Sequence, residues 1–234
     1  MDRRAPRPGL RDGARRLTGG QRTVVLWDMD GTLVDTEEHW ILAATDVLAA
    51  CGAEFDATDR RRLVGAAVSD GAGILIAAGA PGSPGEVGTA WTDAATRRTA
   101  AHGVRWRPGA VELLSALRRH GVPQALVTAS PRAYAAHVLA ALSGDPFRVV
   151  VAGDDVTRGK PFPDPYLRAL ELLGATGAVG VAVEDSITGL RAARSAGLAT
   201  IGVPHHVAIP AAEADVVWPT LAGRGADDVL ALVR

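Results

Sequence analysis

Asp28-Met29-Asp30-Gly31-Thr32-Leu33 sets two carboxylates at i and i+2 ahead of a glycine, just after an apolar run. An ionised Asp28 could act as a nucleophile or hold a metal, while Asp30 gives and takes a proton; a simple Asp-Gly turn is the plain alternative. Thr128-Ala129-Ser130 offers hydroxyls and free backbone N–H groups to a phosphate oxygen, or merely begins a helix. Gly159-Lys160-Pro161-Phe162-Pro163-Asp164-Pro165 holds the only lysine of the chain, although lysine and arginine together number 25 and asparagine is absent. With arginine standing wherever a generic positive charge suffices, the one retained ammonium points to a specific task, such as neutralising a phosphate and a carboxylate. Gly153 to Lys160 does not make a nucleotide-binding P-loop: the spacing is one residue too long, and Pro161 stands where a Ser or Thr should bind magnesium. Glu184-Asp185-Ser186 places adjacent carboxylates that repel each other unless a cation or Lys160 is near. With Asp28 they form an oxygen-rich set that suits Mg²⁺.

These groups need elements that bring them together, and each follows a short apolar run or a helix signal. Thr23–Met29, Gln124–Thr128, Val149–Ala152, Val179–Val183 and Thr200–Val203, with a weaker Asp215–Trp218, read as strands apolar enough to be covered on both faces. Between them, Ala110–His120, Pro165–Leu173 and Ile187–Ala196 read as helices that stop at Gly121, Gly174 and Gly197. The alternation predicts an α/β fold, a doubly wound, mainly parallel Rossmann-like sheet that binds its ligand at the C-terminal strand ends.

From Thr36 to Arg105 there is no convincing strand. Helices are expected over Glu37–Cys51, Ala57–Val64, Asp70–Ala78 and Glu86–His102, an all-helical cap (36–105) inserted into a core of 22–35 and 106–234. Residues 1–21 are rich in Arg, Gly and Pro and read as a disordered tail. The formal net charge of −1 gives no global attraction for nucleic acid or an anionic membrane. Cys51 is the only cysteine, so no internal disulfide forms. No apolar run approaches the ~18 residues of a membrane helix, and no secretory signal is read. A cytoplasmic monomer is the default expectation.

Taken together, Asp28/Asp30, Thr128, Lys160 and Glu184/Asp185 match in order and context the four motifs of the haloacid dehalogenase superfamily, over nearly the whole chain after residue 22. The resemblance implies that Asp28 attacks phosphorus and forms an aspartyl-phosphate, and that Asp30 protonates the leaving oxygen and then activates water. It also implies Mg²⁺ held by Asp28, the Asp30 main-chain carbonyl and Asp185, with Glu184 assisting directly or through water. Thr128, Ala129, Ser130 and Lys160 would bind the transferring oxygens, and Arg132 could touch the substrate or simply lie on a helix surface. The substrate class implied is a small phosphorylated metabolite.

Asp30 argues against carbon–halogen cleavage, and a phosphonatase would need a cap lysine that is absent. The chain resembles the β-phosphoglucomutase-like branch, including Asp35-Thr36-Glu37 at the cap entry. That branch usually carries a histidine where Trp40 stands here; His39 is one residue early, about 100° around a helix. Val64-Gly65-Ala66-Ala67-Val68-Ser69-Asp70 carries no cation to grip a second phosphate. Hydrolysis of a monoester is therefore favoured over sugar phosphomutase activity, and a binding module with idle catalytic residues remains the non-enzymatic alternative. His205-His206 reads as loop rather than a metal site for want of a nearby third ligand. Trp27, Trp40, Trp91, Trp106 and Trp218 read as packing.

Overall fold

A computed structural model describes residues 23–63 and 65–233, so the tail expected over 1–21 and the helix end expected at Val64 lie outside the described residues. Six strands, β1 (Thr23–Trp27), β2 (Gln124–Val127), β3 (Val149–Val151), β4 (Val179–Glu184), β5 (Ala199–Gly202) and β6 (Val216–Val217), form one sheet in the order β3-β2-β1-β4-β5-β6. Every ladder in it is parallel. Alternate residues of β1 enter different apolar clusters, Val25 and Trp27 on one face and Val24 and Leu26 on the other. The first face is covered by α5 (Ala110–Arg119), α6 (Arg132–Ala140) and α9 (Ala226–Leu230), the second by α7 (Asp164–Leu172) and α8 (Ile187–Ser195). This is the doubly wound α/β fold expected, and the two-sided burial explains why its strands lack polar alternation.

β1 pairs with both β2 and β4, placing Trp27 opposite Leu126 on one side and Val183 on the other. Strand order reverses at β1, which opens a crevice beyond the carboxyl ends of β1, β2 and β4. β1 stops at Trp27 because the Met29 carbonyl turns to accept the N–H groups of Leu33 and Val34, at 2.8 and 3.1 Å. Gly31, at φ 84°, sits within that turn.

Between β1 and β2 the described chain is helical: α1 (Glu37–Ala50), α2 (Ala57–Leu63), α3 (Val68–Ala77) and α4 (Pro84–His102). It leaves the core and returns along adjacent segments, with Asp35 N–H donating to the Arg105 carbonyl and Arg107 N–H to the Leu33 carbonyl, each at 2.8 Å. α4 starts two residues before the expected Glu86 because Ser83 caps it, exchanging hydrogen bonds with Glu86. The sequence signals a helix after Ser130 without bounding α6, and gives no signal for α9. α6 has little amphipathic contrast, and α9 is only five residues long. No helix among the described residues is long and apolar enough to cross a membrane.

One polar link runs through the core. Trp27 Nε1–H donates to Gln124 Oε1 at 2.9 Å, and Gln124 Nε2–H donates to the Leu114 carbonyl at 3.0 Å, joining β1, β2 and α5. Gln124→Leu should leave the Trp27 N–H buried without an acceptor and lower stability by about 1–3 kcal/mol, seen as a lower urea midpoint with an unchanged m-value.

Candidate active site

The crevice at the strand ends is a cavity of about 240 Å³ whose floor includes Asp28, Asp30, Thr128, Ser130, Lys160 and Asp185. Asp28 extends β1 by one residue, its N–H donating to the Val183 carbonyl at 3.0 Å. Lys160 reaches in from the loop after β3, and its ammonium donates to Asp28 Oδ1 at 2.7 Å, Glu184 Oε1 at 2.6 Å and the Val127 carbonyl at 2.9 Å. These three acceptors lie at the ends of β1, β4 and β2, so one cation ties the central strands together.

Glu184 is fully buried and fully engaged. Oε1 also accepts from Tyr166 Oη at 3.0 Å, and Oε2 accepts from Ser186 Oγ at 2.9 Å and from the N–H groups of Asp185 and Ser186 at 3.1 and 3.2 Å. Those N–H groups open α8, whose positive end favours the carboxylate. Ser186 Oγ in turn accepts the Gly189 N–H at 3.1 Å. Gly189 is required here, because a Cβ would overlap the Glu184 carboxylate. At Gly31 a Cβ would likewise collide with Asp185.

Asp30 is held by hydroxyls: Thr36 donates to Oδ1 at 2.5 Å, and Ser130 and Thr128 to Oδ2 at 2.7 and 3.5 Å. Ser130 N–H donates to Thr128 Oγ1 at 3.0 Å, which fixes the loop after β2. Asp185 accepts from Thr32 Oγ1 at 3.5 Å.

The charges do not balance. Asp28, Glu184 and Asp185 converge with ligand atoms within 4.8 Å of one another, three carboxylates against the Lys160 ammonium and the Arg107 guanidinium that acts on Asp185. Burial, then the neighbouring Glu184, push the Asp28 carboxyl up to about 7 despite the pull of Lys160. Burial with Asp28 and Glu184 pushes Asp185 well above the ordinary carboxylate range. Burial by itself would lower the Lys160 pKa, but Asp28 and Glu184 outweigh it and hold the ammonium charged. Asp28 Oδ2 is buried without a hydrogen-bond partner. An orphaned carboxylate oxygen beside a second raised carboxyl is an arrangement a hard divalent cation would satisfy.

Of the residues anticipated from sequence, Asp28, Asp30, Thr128, Ala129, Ser130, Lys160 and Asp185 all line this cavity. Glu184 lies beneath it, its lone pairs taken by five donors. Arg132 does not belong to the lining. It starts α6, where its guanidinium pairs with Asp155 and donates to the Val150 carbonyl at 2.9 Å. Tyr166 was missed, although its position five residues after Pro161 in the lysine motif was visible. Thr36 and Glu37 were noted only as part of the cap entry. Trp40 and Trp91, read as packing, line the cavity wall with rings 5.0 Å apart, edge to face. His39 points away from the cavity, its Nδ1 3.0 Å from Thr99 Oγ1, which is 3.1 Å from Tyr134 Oη.

Known proteins resemble this chain to different extents. The family model for haloacid dehalogenase-like hydrolases matches residues 23–197. A phosphorylated carbohydrates phosphatase of Thermotoga maritima is 33% identical over 183 residues, 77% of this chain and 85% of its own. Validoxylamine A 7'-phosphate phosphatase of Streptomyces hygroscopicus subsp. limoneus is 33% identical over 202 residues, 85% and 93% of the two chains. The crystal structure of CbbY from Rhodobacter sphaeroides in complex with phosphate superposes with a TM-score of 0.80 at 30% identity, covering 88% of this chain and 98% of that one.

Lys160→Ala should strip the buried carboxylates of their only close ammonium and lower stability by about 3–5 kcal/mol without added metal. The unpaired carboxyls would then have folded-state pKa values above their unfolded ones, so the deficit should shrink as pH falls from 8 to 5. Urea unfolding at the two pH values measures it.

Proposed function

The chain belongs to the haloacid dehalogenase-like hydrolases, and from that premise we propose that it is a Mg²⁺-dependent phosphatase of small sugar or polyol monophosphates, with Asp28 as nucleophile. The observation that carries the reading is Asp28 at the end of β1, with Oδ1 held by Lys160 and Oδ2 left unpartnered in the cavity. Asp28, Asp185 and the Asp30 main-chain carbonyl would hold the cation, with Glu184 fixing Lys160 rather than ligating. A bound Mg²⁺ supplies charge neutralisation for the phosphoryl oxygens and for Asp28.

Asp28 attacks phosphorus and forms an aspartyl-phosphate as the ester P–O bond breaks. Asp30 gives its proton to the leaving oxygen, then takes one from the water that hydrolyses the acyl phosphate, releasing inorganic phosphate and regenerating Asp28. Thr36, Ser130 and Thr128 aim Asp30 for both transfers. Lys160, Thr128 and the Ala129–Ser130 main chain stabilise the transferring oxygens. Helices α1–α4 form the cap that covers this site, joined to the core through Val34–Thr36 and Arg105–Arg107.

The substrate follows from the wall opposite Asp28. Trp40, Ile41, Leu63, Val68 and Trp91 give it an apolar face, Glu37 and Asp70 are acceptors, and among the described residues Lys160 is the only Lys or Arg in the lining. A second phosphate finds no further cation there among the described residues, which favours a monoester over the bisphosphate a sugar phosphomutase must hold. Two relatives are named as phosphatases, one of phosphorylated carbohydrates and one of validoxylamine A 7'-phosphate. A carbohydrate-like molecule with one phosphate fits the wall and agrees with the first of these names.

Phosphate release from p-nitrophenyl phosphate should require Mg²⁺ and no bisphosphate primer, and Asp28→Asn should lose at least about a thousandfold in kcat. Turnover by that variant at the native rate would overturn the assignment. Because the metal must displace a proton from an Asp28 carboxyl held at about 7, the apparent Mg²⁺ affinity should weaken about fivefold or more between pH 7 and pH 6, read from Mg²⁺ titrations of turnover.

A further inference from the structure

A second group of potential ligands lies outside the catalytic centre, where the chain passes from the core into α1. His205 and His206 follow β5 and Pro204, and both face Asp35. His205 Nε2 is 3.6 Å and His206 Nε2 4.0 Å from Asp35 Oδ1, and His206 Nε2 is 3.6 Å from Glu37 Oε2. The two rings meet edge to face with centroids 3.8 Å apart. All three ion-pair separations are too long for hydrogen bonds, and Glu37 Oε1 and His205 Nδ1 are buried with no partner. Four polar side chains thus converge without bonding to one another.

We propose that Asp35, His205 and His206 form a second metal site, for a borderline divalent cation such as Zn²⁺, clasping the loop after β5 to the segment that leads into α1. One ligand atom from each residue lies within 4.8 Å of the other two. Three atoms held about 2.1 Å from a tetrahedral ion stand about 3.4 Å apart, so the gaps, none above 4.8 Å, close by at most about 1.4 Å. Glu37 Oε2, beside His206, can supply a fourth oxygen.

Two imidazole nitrogens select against Mg²⁺ and for Zn²⁺ or Co²⁺, which sets this group apart from the all-carboxylate cluster at Asp28. Burial, then the charges of Arg107 and His206, hold the His205 pKa down to about 4. The nearby cations are already engaged. Arg105 contacts Asp35 Oδ2 and Glu38 Oε2, each at 3.2 Å, and leaves Asp35 Oδ1 to the imidazoles. Arg107 donates to the Gly31 carbonyl and, at 3.0 Å, to the Pro204 carbonyl. Exposed His206 and half-buried Asp35 give an ion access from solvent.

The site does not depend on the phosphatase reading, and its test reads binding rather than turnover. With Mg²⁺ in large excess to occupy the Asp28 cluster, Zn²⁺ is titrated into the full chain by calorimetry, and Co²⁺ is followed by its visible d–d absorption. Wild-type protein should take up one Zn²⁺ per chain and give the absorption of four-coordinate Co²⁺. The variant His205→Ala/His206→Ala should lose both signals while still hydrolysing p-nitrophenyl phosphate with Mg²⁺. Should circular dichroism show that double variant unfolded, His206→Gln alone, at an exposed position, is held to the same criterion of lost uptake. No Zn²⁺ uptake by the wild type, or equal uptake by wild type and folded variant, would overturn the proposal.

Discussion

The Lys160 ammonium sits between Asp28 and Glu184 with almost no solvent around it, and the remaining geometry follows from keeping it there. Removing three such charges from water costs several kcal/mol each unless close partners replace the hydration. The Lys160 hydrogen bonds to Asp28, Glu184 and the Val127 carbonyl are that replacement. They can form only if the ends of β1, β4 and β2 lie side by side, which the parallel register provides. Tyr166 and the start of α8 complete the shell around Glu184, so helices on the second face of the sheet are tied to the same cation.

This shell also leaves a deliberate deficit. Glu184 is saturated, whereas Asp28 keeps one buried oxygen unpartnered and Asp185 stands beside it with its pKa raised. The fold thus holds excess negative charge on the side that faces the cavity and neutralises it on the side that faces the core. A phosphate ester, itself an anion, approaches such a site only with a cation present. In the proposed function, metal dependence and substrate charge are therefore two consequences of one electrostatic imbalance.

The helical insertion supplies the other half of the cavity. Its two connections to the core run adjacent and hydrogen-bonded, and its Trp40 and Trp91 line the same cavity as Asp28. Tyr134 of α6 meets this layer through Thr99 and packs against Trp40 with ring centroids 4.7 Å apart. Aromatic and aliphatic packing on that wall distinguishes it from the polar floor.

Much of this was legible in the chain itself. A solitary lysine in an arginine-rich sequence, paired carboxylates after apolar runs, and alternating strand and helix signals determined the fold class and the floor of the site, because burial period and charge chemistry are local properties. Tertiary structure decided the rest. Sequence left Arg132 either to touch substrate or to lie on a helix surface, and the fold sets it against Asp155; only the fold brings Lys160 and Tyr166 onto Glu184, which stays within reach of Asp28 and Asp185 as a candidate metal ligand. The tryptophans read as packing, yet two of them line the cavity. His205 and His206 lacked a third ligand in sequence, since Asp35 is brought to them only when β5 ends near the turn after β1. In each case the deciding quantity is which atoms share a few ångströms, and that depends on long-range pairing, which no window of sequence contains.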